Sequence, residues 1–596
     1  MTLRLAAPAI LVASLLLLPF LNKPFTIDDP LFLREARHAL ADPLHPADFE
    51  QVWNAGDRLK LSQYLVGGTL PAYVLAPVAA LGGREWMAHL YQFLLLCGFL
   101  LASVSVARRW GCDRRQANTV GLVIASNPVT LAMAATCTPD VMAMMFGMAG
   151  VDRLLLFGEG RRWGAGLAGG LLLAAAVLCR ATTAPLVLVA ALVLLPATWK
   201  RAAERLWPLG VAVVVVAALL SLNRGPAGEA TLGGAMQTLT SMRNVPRNLV
   251  AFLCFQALTG PLLLYALLSR GRKFAGVVAA VVALGVALSK VAGSANLVLY
   301  AVPAALGICF LLACAGVVGD WRSGAAKPNR EGVDSTRRRG DAEEDAEKSK
   351  REKNREGRSW IRVVLGAGAE GAGIAEENPG GVPKQVCRPL PNGRGSDGSA
   401  LPLVVWLGSG LVALPYVYMG AKYLLPGVPA AALLIVLHAA RVRQGRYPLT
   451  VALVVALGWI SGALIVVGDS TLASSQREAV ERLIAPRIHR GLTVWAGGQW
   501  AFLGYGEDAG AKALGNTPPL PSPGDTIVVS RLDYYGMLDR LPIRRELLHT
   551  RTDERCGVFV LNRRLKAGFF SNRFGYLPFA LGCGEVNAYD VYRVLP

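Results

Sequence analysis

The sequence predicts a mainly α protein. We expect a polytopic bundle of about thirteen transmembrane helices, with a long first outer loop and a small C-terminal soluble α+β domain. Three observations lead there. Of 596 residues, 53% are hydrophobic and only 17% charged, against about 25% charged in an ordinary soluble domain. The apolar residues gather in runs close to the ~20 residues that cross a bilayer as a helix. Short clusters of arginine and lysine stand between alternate runs, the mark of cytoplasmic loops.

The first apolar run, 5–22, follows Arg4. No small-x-small cleavage site precedes Asn22, Lys23 and Pro24, so it reads as a retained membrane helix and not a signal peptide. Residues 23–85 form a mostly polar loop. Its apolar piece, Tyr73 to Leu81, is short and interrupted by Pro77, with Pro71 just before it, which suits a helix lying on the membrane surface. Further spans are expected at 86–107, 118–135, 139–157, 163–180, 182–198, 207–222, 248–269, 274–290 and 296–318. Three more are expected at 402–419, 423–440 and 448–468.

With a cytoplasmic N-terminus, the inner loops carry Arg108, Arg109, Arg114 and Arg115; Arg153, Arg161 and Arg162; Lys200, Arg201 and Arg205; Arg270, Arg272 and Lys273; and Arg441, Arg443 and Arg446. The opposite loops at 136–139 and 291–296 contain no Lys or Arg. The bias explains the net charge of +20 as loop charge in a bacterial-type inner (plasma) membrane, and it argues against a nucleic-acid partner. It puts Asp28, Asp29, Asp140 and the C-terminal segment on one extracytoplasmic, periplasmic face.

The expected domains are a first part of the membrane core at 1–320, a charged insert at 321–400, the last three helices at 401–468 and a periplasmic soluble domain at 469–596. The insert mixes Lys, Arg, Asp and Glu and then turns rich in Pro and Gly. Too few apolar residues remain to form a core, so it reads as a disordered cytoplasmic linker. In the C-terminal part, 525–530 and 557–561 read as strands. Five of the ten cysteines, Cys97, Cys179, Cys254, Cys309 and Cys314, lie in apolar runs as small hydrophobes. Cys556 and Cys583 are free to pair on an outer face, which their spacing does not decide.

The residues able to carry chemistry lie where spans meet the outer face. Asp28 and Asp29 follow the first span. A carboxylate there can serve as a general base toward a hydroxyl or amine; the alternative is an N-cap for the next helix. Asp140 stands at the mouth of the span that begins near Pro139, with the same alternative. Arg180 and Lys422, followed by Tyr423, are cations on a face otherwise poor in them. An anionic phosphate would account for both, as would snorkelling to the interface. His38 and His45 accompany Asp42 and Asp48 without the tight spacing of a metal site. A divalent metal is allowed but unsupported, and no residue is assigned to one. The absence of a P-loop or of a glycine-rich cradle after a strand gives no support to nucleotide hydrolysis.

Four stretches together carry a resemblance: Asp28-Asp29-Pro30-Leu31-Phe32-Leu33-Arg34-Glu35-Ala36, Thr138-Pro139-Asp140-Val141, Arg180-Ala181-Thr182-Thr183-Ala184-Pro185 and Lys422-Tyr423-Leu424-Leu425-Pro426-Gly427-Val428-Pro429. Their order and common sidedness resemble the GT-C membrane glycosyltransferases. The nearest likeness is to family 39, the protein O-mannosyltransferases and lipid A aminoarabinose transferases. The likeness covers most of 1–320 and 402–468. It implies transfer of a sugar from a polyprenyl-phosphate donor to an envelope acceptor (lipid, glycan or protein), by single displacement with inversion. It also implies Asp28 as base, assisted by Asp29 and Asp140, with Arg180, Lys422 and Tyr423 around the donor phosphate. Two departures stand out. The second carboxylate is Asp where the family has Glu. The first loop reads Gly68-Thr69-Leu70-Pro71-Ala72-Tyr73 where many relatives carry His or Lys before Pro-Pro. A transporter or flippase and a non-catalytic scaffold are the competing readings. Neither internal repeats nor mid-membrane charges speak for transport.

Overall fold

A computed structural model describes residues 2–52, 58–63, 68–160, 162–194, 202–222, 241–291, 295–322, 400–442, 447–533 and 537–596. The chain divides into a large unit, Met1–Val318 with Pro389–Pro596, and a small one, Gly319–Arg388. The insert expected to be disordered lies almost wholly outside the described residues.

The large unit is mainly helical. Among the described residues, seven helices are long and apolar enough to cross a membrane: Thr2–Phe20, Glu85–Arg109, Asp140–Gly160, Glu204–Ser221, Ala301–Asp320, Ala421–Ala440 and Pro448–His489. This is an integral membrane protein. Two bent pairs bring the number to nine. Their breaks follow from local chemistry. At the first, Asn127 accepts hydrogen bonds from the backbone N–H groups of Val129 and Thr130, with Pro128 at the first helical position; this caps a new helix at 63° to the old one. At the second, Gly260 and Pro261 turn the chain by 56°.

Among the described residues, two of the expected spans, 163–180 and 402–419, form the shorter helices Trp163–Cys179 and Leu401–Ala413. The expected span 182–198 is described only as far as Leu194, and Arg272–Val291, at the expected 274–290, is not among the seven. The piece expected on the membrane surface is the helix Leu70–Ala80, too short to cross ~30 Å of hydrocarbon. The last span does not stop at 468. It continues to Ala479, passes a π turn at Val480–Ile484 and ends at His489. Pro486, which has no N–H to donate, sits just after the irregular turn.

Two short strands in the first loop, β1 (Glu50–Val52) and β2 (Arg58–Lys60), pair antiparallel. The C-terminal strands are β3 (Val494–Gly497), β4 (Lys512–Ala513), β5 (Thr526–Ser530), β6 (Arg545–Phe559), β7 (Leu561–Asn562), β8 (Ala567–Gly568) and β9 (Ala580–Val594). Five form a mixed sheet in the order β4-β3-β5-β9-β6, parallel at its β4-β3-β5 side and antiparallel beyond. With the helix Trp500–Asp508 this makes the expected α+β domain. Cys556 and Cys583 face each other in the β6–β9 hairpin and form a disulfide.

The domain is not a loose appendage. Val560, Leu561, Phe569, Phe570, Phe574 and Tyr576 share the main hydrophobic core with the membrane helices. The segment after β8 is pinned to the core: Ala421 N–H donates to Phe569 O (2.7 Å), and Asn572 N–H donates to Met419 O (2.9 Å). Asn572 Oδ1 accepts from Met419 N–H (3.0 Å) and its amide nitrogen donates to Asn248 Oδ1 (3.0 Å). Gly420 permits this approach, because a Cβ there would lie 2.5 Å from Phe570 O.

Candidate active site

The expected acidic pair splits into two environments. Asp29 opens the helix Asp29–Ala41, and Asp28 occupies its N-cap position. The Asp28 side chain makes no capping hydrogen bond, so the N-cap alternative does not account for its carboxylate. It faces a cleft of about 210 Å³, lined also by Lys422, Tyr423, Tyr416 and Trp500. Lys422 Nζ lies 3.6 Å from Asp28 Oδ2. Asp29 is fully buried and is not part of the cleft wall. Its two oxygens accept from the backbone N–H groups of Cys137 (2.7 Å) and Thr26 (3.0 Å). Burial raises its carboxyl to about 7 against the pull of Lys23.

Asp140 begins the helix Asp140–Gly160. Arg180 Nε lies 2.9 Å from its Oδ1, with both side chains largely buried. Asp140 Oδ2 is buried without a hydrogen-bond partner. Arg180 follows the end of the helix Trp163–Cys179, and its guanidinium sits over the Tyr423 ring at 5.4 Å. Lys422 Nζ is 5.8 Å from the same ring centre. Tyr416 meets Tyr423 edge-on at 5.6 Å. Two carboxylate–cation pairs therefore converge on one tyrosine. Of the six expected site residues, Asp28, Lys422 and Tyr423 line the cleft, whereas Asp29, Asp140 and Arg180 do not.

The opposite wall was not legible in the sequence. It comes from the C-terminal domain: Gln499, Trp500, Leu503, Gly504 and Glu507, with Phe570, Ser571 and Arg573. A Cβ on Gly504 would fall 2.4 Å from Pro30 Cβ, so only glycine lets that helix sit against the start of Asp29–Ala41. Glu507 pairs with Arg34. Ile27 (φ 44°) and Trp500 (φ 56°), both in the cleft lining, hold left-handed backbone. Such strain costs on the order of 1–3 kcal/mol per residue and gathers where function constrains the chain.

A second missed pair braces the site. Lys23 Nζ bonds Asp469 Oδ2 at 2.6 Å, with side-chain exposures of 0% and 2%. Thr26 Oγ1 donates to the other Asp469 oxygen at 3.0 Å. This ties the segment leading to Asp28 onto the last long helix. Its signal was available: two isolated charges, each just after a different apolar run, are costly unless paired.

Residues 68–223 match the family of dolichyl-phosphate-mannose-protein mannosyltransferases. The match contains Asp140 and Arg180 and ends before Lys422. No curated protein matches the chain by sequence. Among solved structures, it resembles ArnT from Cupriavidus metallidurans bound to undecaprenyl phosphate, at 16% identity and a TM-score of 0.46. That alignment covers 91% of this chain and 96% of that one. It also resembles the oligosaccharyltransferase AglB from Archaeoglobus fulgidus in complex with an inhibitory peptide and a dolichol-phosphate. There the identity is 12%, the TM-score 0.40, and coverage 87% of this chain and 64% of that one.

One carboxyl on the Asp28 helix gives a pH test. Glu35 is 1% exposed, its Oε1 has no hydrogen-bond partner, and burial pushes its acid up to about 8. The folded chain therefore holds a proton there that the unfolded chain releases near pH 4.5. The sign follows: folding stability falls as pH rises from about 4.5 to about 8, then levels, with a total change of a few kcal/mol. Glu35→Gln should remove Glu35's share of this slope and leave that of buried Asp29, so that the variant melts above the wild type at high pH. Melting temperatures of the purified protein across that range check it.

Proposed function

We propose that this GT-C core moves a sugar from a polyprenyl-phosphate donor to an envelope acceptor at the extracytoplasmic face of the membrane, with inversion. The observation that carries the reading is the convergence of Asp28–Lys422 and Asp140–Arg180 on Tyr423. Asp28 is the base, because it is the carboxylate in the cleft wall. It takes the proton from an acceptor hydroxyl or amine as that atom attacks the anomeric carbon. The bond from that carbon to the phosphate oxygen breaks, and its electron pair leaves with the lipid phosphate. Lys422, in the cleft wall, answers the phosphate charge with a charge-assisted hydrogen bond, and Arg180 adds its positive field from over the Tyr423 ring. Asp140 holds Arg180 in place and is a positioning residue. Asp29 makes no approach to the cleft, so its part is to fix the turn before the helix. The N-terminus is cytoplasmic and the C-terminal domain faces outward on this reading, which the basic loops support.

Deletion of the gene, followed by mass analysis of envelope glycans, glycolipids and glycoproteins, tests the reading; unchanged profiles would count against it. Arg180→Ala should lower kcat/KM for the lipid-linked donor, by less than the roughly 10²–10³-fold that losing a donor in direct contact with transition-state charge costs. It should also weaken competition by polyprenyl phosphate, and Arg180→Lys should restore part of both. Initial rates with purified variants measure this.

A further inference from the structure

Beside the cleft, and outside the machinery assigned to transfer, three buried side chains of different elements come together. They are Asp29 at the start of its helix, His89 in the first turns of Glu85–Arg109, and Cys137 in the turn before Asp140. One ligand atom from each lies within 4.8 Å of the other two. Among the described residues this is the one group of three or more His, Cys, Asp or Glu side chains close enough to share an ion. His38 and His45 form no such group: His38 packs on Phe49 at 5.3 Å, and His45 pairs with Asp42 on the surface.

The hydrogen bonding singles out one nitrogen. His89 Nδ1 lies 2.9 Å from Leu21 O. A carbonyl only accepts, so Nδ1 carries the proton and Nε2 carries the lone pair. Nε2 is buried and has no partner, in a residue only 4% exposed. A buried acceptor left unpaired costs about 1–3 kcal/mol. Metal-ligating histidines show this same arrangement: one ring N–H fixed by a backbone carbonyl, the other nitrogen turned to the metal. Asp29 and Cys137 are 0% exposed, and each Asp29 oxygen keeps a lone pair beyond the N–H it accepts.

We propose that Asp29, His89 and Cys137 form a site for a zinc-like divalent cation. The donor set of one imidazole, one thiolate and one carboxylate is the mixture zinc accepts, with a fourth position filled by water. Ligand atoms around tetrahedral zinc stand about 3.5 Å apart, so the site closes by roughly an ångström on loading. Binding exchanges the Cys137 thiol proton for the metal, and that proton leaves to solvent. The nearby cation that opposes loading is Lys23, and Asp469 already neutralises it at 2.6 Å. The ion's role is structural. It clamps the residue after Asp28 to the loop that presents Asp140, and so fixes the spacing of the two carboxylates.

The test uses full-length protein in detergent, stripped with a chelator and titrated with Co2+, then with Zn2+ as competitor. Wild type should take up about one equivalent. It should show the visible bands of tetrahedral cobalt and a near-ultraviolet thiolate-to-cobalt band, both abolished by zinc. Cys137→Ser should lose the thiolate band, and His89→Gln should bind at least about tenfold more weakly. Cys254→Ser, at a buried cysteine elsewhere, should change neither. The proposal is overturned if wild type shows no tetrahedral cobalt spectrum, or if the thiolate band survives Cys137→Ser. The wild-type spectrum alone decides should a variant fail to fold, because cobalt uptake without a thiolate band also excludes the site.

Discussion

Asp28→Asn is expected to reduce sugar transfer by roughly 10²–10⁴-fold, the range that a positioned general base supplies, while leaving the protein abundant in the membrane. The separation of effects follows from the geometry. Asparagine keeps the shape of aspartate but takes no proton. The Asp28 side chain caps nothing, so the helix behind it loses no hydrogen bond. Its partner Lys422, 3.6 Å away, faces a cleft with room for water, which softens the loss of the charge. Turnover of a lipid-linked sugar by purified variant and wild type measures the first effect, and immunoblotting of membranes the second. Near-normal turnover would remove Asp28 as base and leave the proposed transfer without an assigned one.

The largest stability effect is expected at the brace. Asp469→Ala leaves the Lys23 ammonium buried with no counter-charge and strips Thr26 of its acceptor. Breaking a buried pair from one side costs about 3–5 kcal/mol. Replacing both members with apolar residues of similar volume is often neutral or stabilising. The double variant Lys23→Met with Asp469→Leu should therefore melt close to wild type, far above Asp469→Ala alone. Melting curves of the three proteins decide it. An Asp469→Ala protein as stable as wild type would show that the pair holds nothing together.

The parts of the site legible in the sequence share a property. Asp28, Asp140, Arg180 and Lys422 are charges at the ends of apolar runs, where their cost in a membrane marks them out before any contact is known. The helices themselves were legible for the same reason. Breaks inside apolar runs were harder to read: nothing in hydropathy separates 118–135 as one span from two helices bent at Asn127 and Pro128. The wall opposite Asp28 was not legible at all. Gln499, Trp500, Glu507 and Arg573 belong to a polar segment where such residues are ordinary, and only long-range packing brings them to the cleft. Asp28 and Asp29 show the limit most sharply. Adjacent identical residues in sequence, they part by one step of backbone, one into the cleft and one into the core.

Because Phe570, Ser571 and Arg573 close the cleft from a segment that follows every described membrane helix, and are held there through Met419 and Ala421, the chamber they enclose is finished late in synthesis. A ribosome-bound chain with all its spans inserted still lacks one side of the chamber.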